Sequence, residues 1–197
     1  MTASIQPFRI DIPQADLDDL RARLQRTRWP DRETVDDWRQ GVPLADAQAL
    51  VSYWADTYDW RRCEARLNAV PQFTTEIDGV SIWFLHVRSP HAEARPLLLT
   101  HGWPGAVLEV LDCVGPLSDP PAHGGEAEDA FHLVIPALPG YGFSGKPATR
   151  GWGVPRIART WHQLMQRLGY RQYLAQGGDW GAAVTTALGA FRPDGLQ

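Results

Sequence analysis

Residues 170–175 and 182–191 are two apolar runs, and between them lies Gln176-Gly177-Gly178-Asp179-Trp180-Gly181. A residue flanked by small neighbours at a strand-to-helix junction sits on a sharp turn, which lifts its side chain above the C-terminal edge of a parallel sheet. Esterases of this design place serine on that nucleophile elbow; here the residue is Asp179. A carboxylate is a poor acyl-transfer nucleophile in water, but it can attack a strained or activated sp3 carbon held in line. The product is an alkyl ester on the enzyme, one of the covalent intermediates open to Asp and Glu. The same residues also fit a plainer reading, a Gly-Gly-Asp turn in which Asp179 is the N-cap of the next helix.

Two preceding loops bear on the choice. His101-Gly102-Trp103-Pro104-Gly105 directly follows the apolar residues 97–100. An elbow enzyme draws one oxyanion-hole N–H from such a loop and another from the residue after the nucleophile. Those donors are the amides of Trp103 and Trp180, aimed at the oxygen that becomes negative when the Asp179 ester is hydrolysed. The alternative is a tight turn over a buried, satisfied His101. The second loop, Pro139-Gly140-Tyr141-Gly142-Phe143-Ser144, lacks the third glycine and the immediate helix start of a dinucleotide fingerprint. It reads as a structural turn bordering the site, and Tyr141 joins Trp103 and Trp180 as a candidate substrate contact.

The elements that must position these loops follow from pattern. At 197 residues, 44% hydrophobic and 21% charged, the chain suits a folded domain with a sizeable core. A net charge of −4 without a basic, aromatic stripe excludes a nucleic-acid partner. Cys63 and Cys113 have no ligand-like spacing, so no metal site is expected, and free thiols suit a reducing compartment. No signal peptide or membrane span is read, which gives a cytoplasmic location.

Phe8, Ile10 and Ile12 alternate as an extended lead-in. Helices are expected after Pro13, with Leu17, Leu20 and Leu24 on one face, after Pro43, with Leu44, Ala47, Val51, Trp54 and Tyr58, and over residues 60–67. Their stripes read as core. From Pro71 the period changes: residues 73–77 and 80–87 around Asp78-Gly79 form a hairpin. A strand at 97–100, a helix at 107–117, a strand at 131–136, a helix through Ile157, Trp161, Leu164 and Leu168, and a strand at 170–177 then alternate. Residues 1–70 are thus a helical segment and 71–197 an α/β core with a mostly parallel sheet, whose ligand crevice lies beyond the strand C-termini.

His-Gly-Trp-Pro, Gly-Tyr-Gly-Phe-Ser and Gly-Gly-Asp-Trp-Gly, in that order, resemble the epoxide hydrolases of the α/β-hydrolase superfamily. Pro7-Phe8, Leu17-Asp18-Asp19-Leu20, Arg23-Leu24 and Thr27-Arg28-Trp29-Pro30-Asp31 resemble the N-terminal segment of their microsomal-type branch, so the likeness spans residues 7–195. It implies an α/β-hydrolase core with sheet order 1-2-4-3-5, and Asp179 as the nucleophile that opens a small-molecule epoxide. It also implies a vicinal diol product, no cofactor, and a role in detoxification or in catabolism of aromatic or aliphatic epoxides. Unlike the microsomal enzymes as a class, no membrane anchor is expected ahead of the segment.

The pattern departs from the family after Asp179. The relay acid and histidine of this superfamily follow the nucleophile, yet His86, His91, His101, His123, His132 and His162 all precede it, and Asp194 is the only later carboxylate. The chain therefore reads as the N-terminal half of an epoxide hydrolase, a fragment or shortened gene product without the C-terminal strands and lid, impaired in turnover. A haloalkane dehalogenase-like hydrolase and a non-catalytic remnant or interaction module are the other readings. Strand 170–177 is expected at an uncovered sheet edge, an association liability. Size-exclusion chromatography with light scattering should accordingly find the isolated chain self-associated; a monodisperse, cooperatively melting monomer would refute this.

Overall fold

The computed structural model describes residues 4–197, in two compact units. One is Ile10–Ala69; the other joins the described residues up to Arg9 with Val70–Gln197.

The smaller unit holds helices α1 (Gln14–Gln25), α2 (Leu44–Asp56) and α3 (Trp60–Asn68). Pro13 and Pro43 stand immediately before α1 and α2, where a fixed φ and a missing N–H cost nothing. Asp59 starts α3 by accepting the Arg61 N–H at 2.9 Å. The extended lead-in is tied to α3 by polar contacts: Asn68 exchanges two hydrogen bonds with the Ile10 backbone, and Glu64 accepts the Ile12 N–H at 2.8 Å. That amide, and then the Arg61 guanidinium, hold the Glu64 carboxyl below its usual pKa. The apolar stripes do not form the expected core. No residue of α1 is fully buried and only Ala55 of α2 is; Leu17, Leu20, Leu24, Leu50, Tyr53 and Trp54 instead line a cavity of about 650 Å³. Three short helices have too little interior for their apolar faces.

The larger unit is built on a six-stranded sheet, β1 (Gln6–Pro7), β2 (Gln72–Ile77), β3 (Val80–Val87), β4 (Arg95–Thr100), β5 (Phe131–Pro136) and β6 (Leu174–Gly177). Their spatial order is β1-β2-β3-β5-β4-β6. Apart from the short β1, this is the order the resemblance implies. Asp78 and Gly79 both take positive φ, 51° and 76°, as a two-residue hairpin turn requires, and Ile77 pairs with Val80 across it. β4 runs parallel to both β5 and β6. Helices α5 (Val154–Arg167) and α6 (Trp180–Phe191) bury Trp161, Leu164, Met165, Val184 and Leu188 in one cluster with Ile82, Phe84, Leu98 and Val134.

Two expected elements are differently built. Residues 107–117 are a 3-10 turn, Val107–Cys113, followed by the short helix α4 (Val114–Ser118). Pro116 would clash with the Asp112 carbonyl inside one continuous helix, whereas a helix restarting at Val114 holds it in the first turn. The strand expected from residue 170 begins only at Leu174, because Gly169 (φ 84°) and Tyr170 close the end of α5, the Tyr170 N–H donating to Met165 O at 3.0 Å. Nor is the outer edge bare throughout. Tyr173 forms a parallel bridge to Leu196, with hydrogen bonds from Tyr173 N–H to Gly195 O and from Gln197 N–H to Tyr173 O. Among the described residues, Leu174–Gly177 pair only with β4.

The β6–α6 junction is sterically closed. A Cβ on Gly181 would lie 2.1 Å from the Thr100 carbonyl oxygen, and one on Gly177 would lie 2.4 Å from the Gly181 carbonyl. Gly178 would meet nothing within 4 Å. Gly177 and Gly181 therefore let α6 begin against the end of β4, and Gly178 does not contribute. Gly181→Ala should cost roughly 1–3 kcal/mol by overpacking, and Gly178→Ala under about 1 kcal/mol, read from urea unfolding midpoints.

On β3, His86 lies 2.7 Å from the Tyr170 hydroxyl, and burial, with Arg88 and His132 nearby, pushes its pKa from 6.5 down to about 4. The folded chain thus refuses a proton that the unfolded chain accepts, so the stability is full above about pH 6.5 and is lost as pH falls toward 4. Burial shifts His101, His132 and His162 in the same direction. The urea midpoint should fall across that window, less steeply in His86→Gln.

Candidate active site

Asp179 precedes α6 with φ 51° and ψ −121°. Asp179 does stand at the N-cap position of α6, but its side chain makes no capping hydrogen bond there. Its Oδ1 instead accepts the Trp103 N–H at 2.8 Å from the loop after β4. The Trp103 amide first and the Trp180 amide second hold the carboxyl below its usual pKa, because hydrogen bonds to the charged form favour it. The loop presses close: a Cβ on Gly102 would lie 2.7 Å from Asp179 Cβ and 2.9 Å from its Oδ1. The bond from Trp103 to Pro104 is cis.

The chain therefore brings Asp179 and the two backbone donors together. The Trp103 and Trp180 side chains are 60% and 53% exposed, so two large apolar rings belong to the residues that supply the donors. The Tyr141 ring meets His101 edge-on, 6.0 Å between centroids, and packs against the core cluster; it reaches the Trp103 loop through His101.

His101 is 1% exposed, with Nδ1 2.8 Å from Gly102 O and Nε2 accepting the Leu138 N–H at 3.1 Å. Burial depresses its pKa, and with both nitrogens engaged it is the satisfied histidine of the plainer reading. Ser144 is likewise structural. Its Oγ accepts the Trp83 N–H at 3.0 Å and donates to Ala137 O at 2.8 Å, pinning the Gly-rich loop to β3. Sequence reasoning missed Glu109, whose carboxylate accepts the Gly102 N–H at 3.4 Å and lies 1.1 Å from where a Gly105 Cβ would be. The signal available was Gly105, four residues earlier, the one neighbour small enough to admit that carboxylate.

The other histidines are occupied elsewhere: His86 with Tyr170, His91 with Asp119, His132 with the Ser89 N–H, His162 with Tyr173, while His123 rests against Gly115. Among the described residues, no group of three or more His, Cys, Asp or Glu could hold a metal ion, and no helix is long and apolar enough to cross a membrane. The arrangement can present one carboxylate oxygen to a reactive carbon while two N–H groups hold the other end of the group.

Known families share this layout. Residues 5–110 match the family model described as epoxide hydrolase N terminus, and residues 95–197 match that of the alpha/beta hydrolase fold. A protein of Stigmatella aurantiaca whose name assigns it provisionally to the epoxide hydrolases is 60% identical over 98% of this chain and 44% of its own length. Epoxide hydrolase 1 of Sus scrofa is 35% identical over 98% of this chain and 44% of its own. The crystal structure of juvenile hormone epoxide hydrolase from Bombyx mori superposes with a TM-score of 0.87 at 33% identity, over 98% of this chain and 51% of that one. The Aspergillus niger epoxide hydrolase gives 0.84 at 37% identity, over 94% and 49%. The chain thus spans about half the length of the relatives it matches. It belongs to the epoxide hydrolases of the α/β-hydrolase superfamily, within the group that carries the epoxide hydrolase N-terminal segment.

Proposed function

We propose that this chain carries the nucleophilic half-site of an epoxide hydrolase acting on a small-molecule epoxide. The observation that carries the reading is the Trp103 N–H on Asp179 Oδ1 at 2.8 Å, which leaves Oδ2 as the attacking atom. In the first step Oδ2 forms a bond to an epoxide carbon, the C–O bond of the ring breaks, and the ring oxygen leaves as an alkoxide that takes a proton. In the second, water adds to Asp179 Cγ, and negative charge collects on Oδ1, facing the Trp103 and Trp180 amides. Collapse breaks the ester, returns the carboxylate and releases a vicinal diol.

That second step needs a positioned base for the water proton. Five of the six histidines are engaged in hydrogen bonds to groups other than the Asp179 carboxylate, and His123 lies at Gly115. The base and the proton donor for the alkoxide would come from sequence of the kind the relatives carry beyond the matched half. With these residues alone the reaction should halt at the ester.

The reading takes residues 1–70 as the accessory helical segment and 71–197 as the part of the core that carries the elbow. Trp103, Trp180 and Tyr141 are its substrate contacts. It includes a cytoplasmic location, supported by the free thiols of Cys63 and Cys113. Self-association would use the free edge at Leu174–Gly177.

Incubation with styrene oxide and intact-mass analysis should show one adduct, mapped to Asp179, persisting without diol and missing from Asp179→Asn. No adduct on a folded sample would defeat the proposal, and diol turnover would reveal a base within these residues.

A further inference from the structure

The Gly102–Trp103 peptide is held at both ends. Its N–H donates to Asp179 Oδ1 at 2.8 Å, and its carbonyl oxygen lies 2.8 Å from His101 Nδ1. On the far side of the ring, Nε2 accepts the Leu138 N–H at 3.1 Å. A backbone N–H can only donate, so Nε2 is an acceptor and the ring proton sits on Nδ1, where it donates to Gly102 O. The C=O and N–H of a trans peptide point opposite ways in one plane. Fixing the carbonyl therefore fixes where the N–H points.

Three features make this fixing stringent. The ring is 1% exposed, so water cannot replace either partner. Leu138 follows β5, so the imidazole links the loops after two neighbouring strands. The Gly102 Cα abuts Asp179 so closely that a Cβ would collide with it, leaving the carboxylate no room to follow a rotated peptide.

We infer that His101 is a positioning residue. Through Nδ1–H on the Gly102 carbonyl it sets the plane of the Gly102–Trp103 peptide and so aims the Trp103 N–H at the Asp179 carboxylate. The inference rests on reading Asp179 as the nucleophile and that amide as its oxyanion donor. A role in stability alone would leave the direction of the N–H indifferent to which of the two ring contacts is kept.

Two substitutions in the full chain separate the contacts. His101→Asn keeps a donor near the Nδ1 position and loses the acceptor for Leu138; His101→Gln keeps the acceptor near Nε2 and loses the donor to Gly102. Three readouts are taken: the thermal midpoint, the pH titration of the Asp179 carboxyl carbon by 13C NMR, identified by its loss in Asp179→Asn, and the rate of adduct formation with styrene oxide. Both variants should melt earlier than the parent. Only His101→Gln should raise the Asp179 pKa toward the ordinary carboxylate range and, by releasing the carboxylate from its in-line orientation, slow alkylation by about tenfold or more. His101→Asn should stay within about threefold of the parent rate, since its donor to Gly102 remains and the carboxylate keeps its orientation.

An unshifted Asp179 in His101→Gln, or equal shifts in both variants that follow their loss of stability, would overturn the inference. If the parent chain is not alkylated at all, the nucleophile reading falls, and the carboxyl titration alone still decides the role of His101. Should neither variant fold, long-range 1H–15N spectra of the unsubstituted chain read the tautomer directly. Nδ1–H is expected, and Nε2–H would overturn the inference.

Discussion

Asp179 holds φ 51° and ψ −121°, a backbone conformation that costs a non-glycine residue on the order of 1–3 kcal/mol and persists only where the surroundings over-determine it. The surroundings here are backbone: Gly181 against the Thr100 carbonyl, Gly177 against Gly181, and Gly102 against Asp179 itself. Helix α6 starts so close to β4 that the connecting residue has no relaxed alternative. Pairing of Thr100 with Gly177 across the parallel strands makes both loops leave the sheet at one level. That register sets the Trp103 amide opposite the carboxylate, and the sharp turn adds the Trp180 amide at the start of α6.

The electrostatics of the site carry a trade-off. Two amides on Asp179 favour the anion, which keeps it ionised and also makes it a weaker nucleophile than a bare carboxylate. Only donors that bind the transition state more tightly than the ground state accelerate a step. In the proposed reaction the gain falls on ester hydrolysis, where full negative charge gathers on Oδ1. For the first step the amides contribute orientation, holding Oδ1 still so that Oδ2 is the atom presented to carbon.

The sequence signals that survived folding were those whose cause is local. Asp78-Gly79 specifies its turn because both residues must take positive φ, and the Gly-x-Asp-x-Gly spacing specifies the elbow because Gly177 and Gly181 touch each other. Sheet order was legible through family resemblance rather than from periodicity. What failed needed information from elsewhere in the chain. Residues 170–173 look like strand, yet Tyr170 is used to close α5 and only Tyr173 bridges. The stripe on α1 and α2 shows which face is apolar, not what covers it. At His101 the sequence left an even choice between site residue and buried packing, and the two hydrogen bonds that decide it come from Gly102 and from Leu138 on another loop. Gly105 is the one hint of Glu109 in the sequence, and it points to that carboxylate only once the chain is known to fold back over it.

The exposed tryptophans connect packing to reactivity. The Trp103 backbone donates to Asp179 and the Trp180 amide helps hold its carboxyl below the usual pKa, while the rings of both present large apolar surface to solvent. Isolated apolar side chains on a surface are ordinary, but these two are tied to the one strained carboxylate of the elbow. An ionised carboxylate in bulk water is held back by its hydration shell, and removing that shell strengthens every remaining electrostatic contact. In the proposed reaction, an apolar epoxide held against the rings would displace water from them and, where it also covers Oδ2, from the carboxylate. Hydrophobic burial on the substrate's remote carbons would then be spent on activating the nucleophile, so that binding and the first chemical step draw on the same contact.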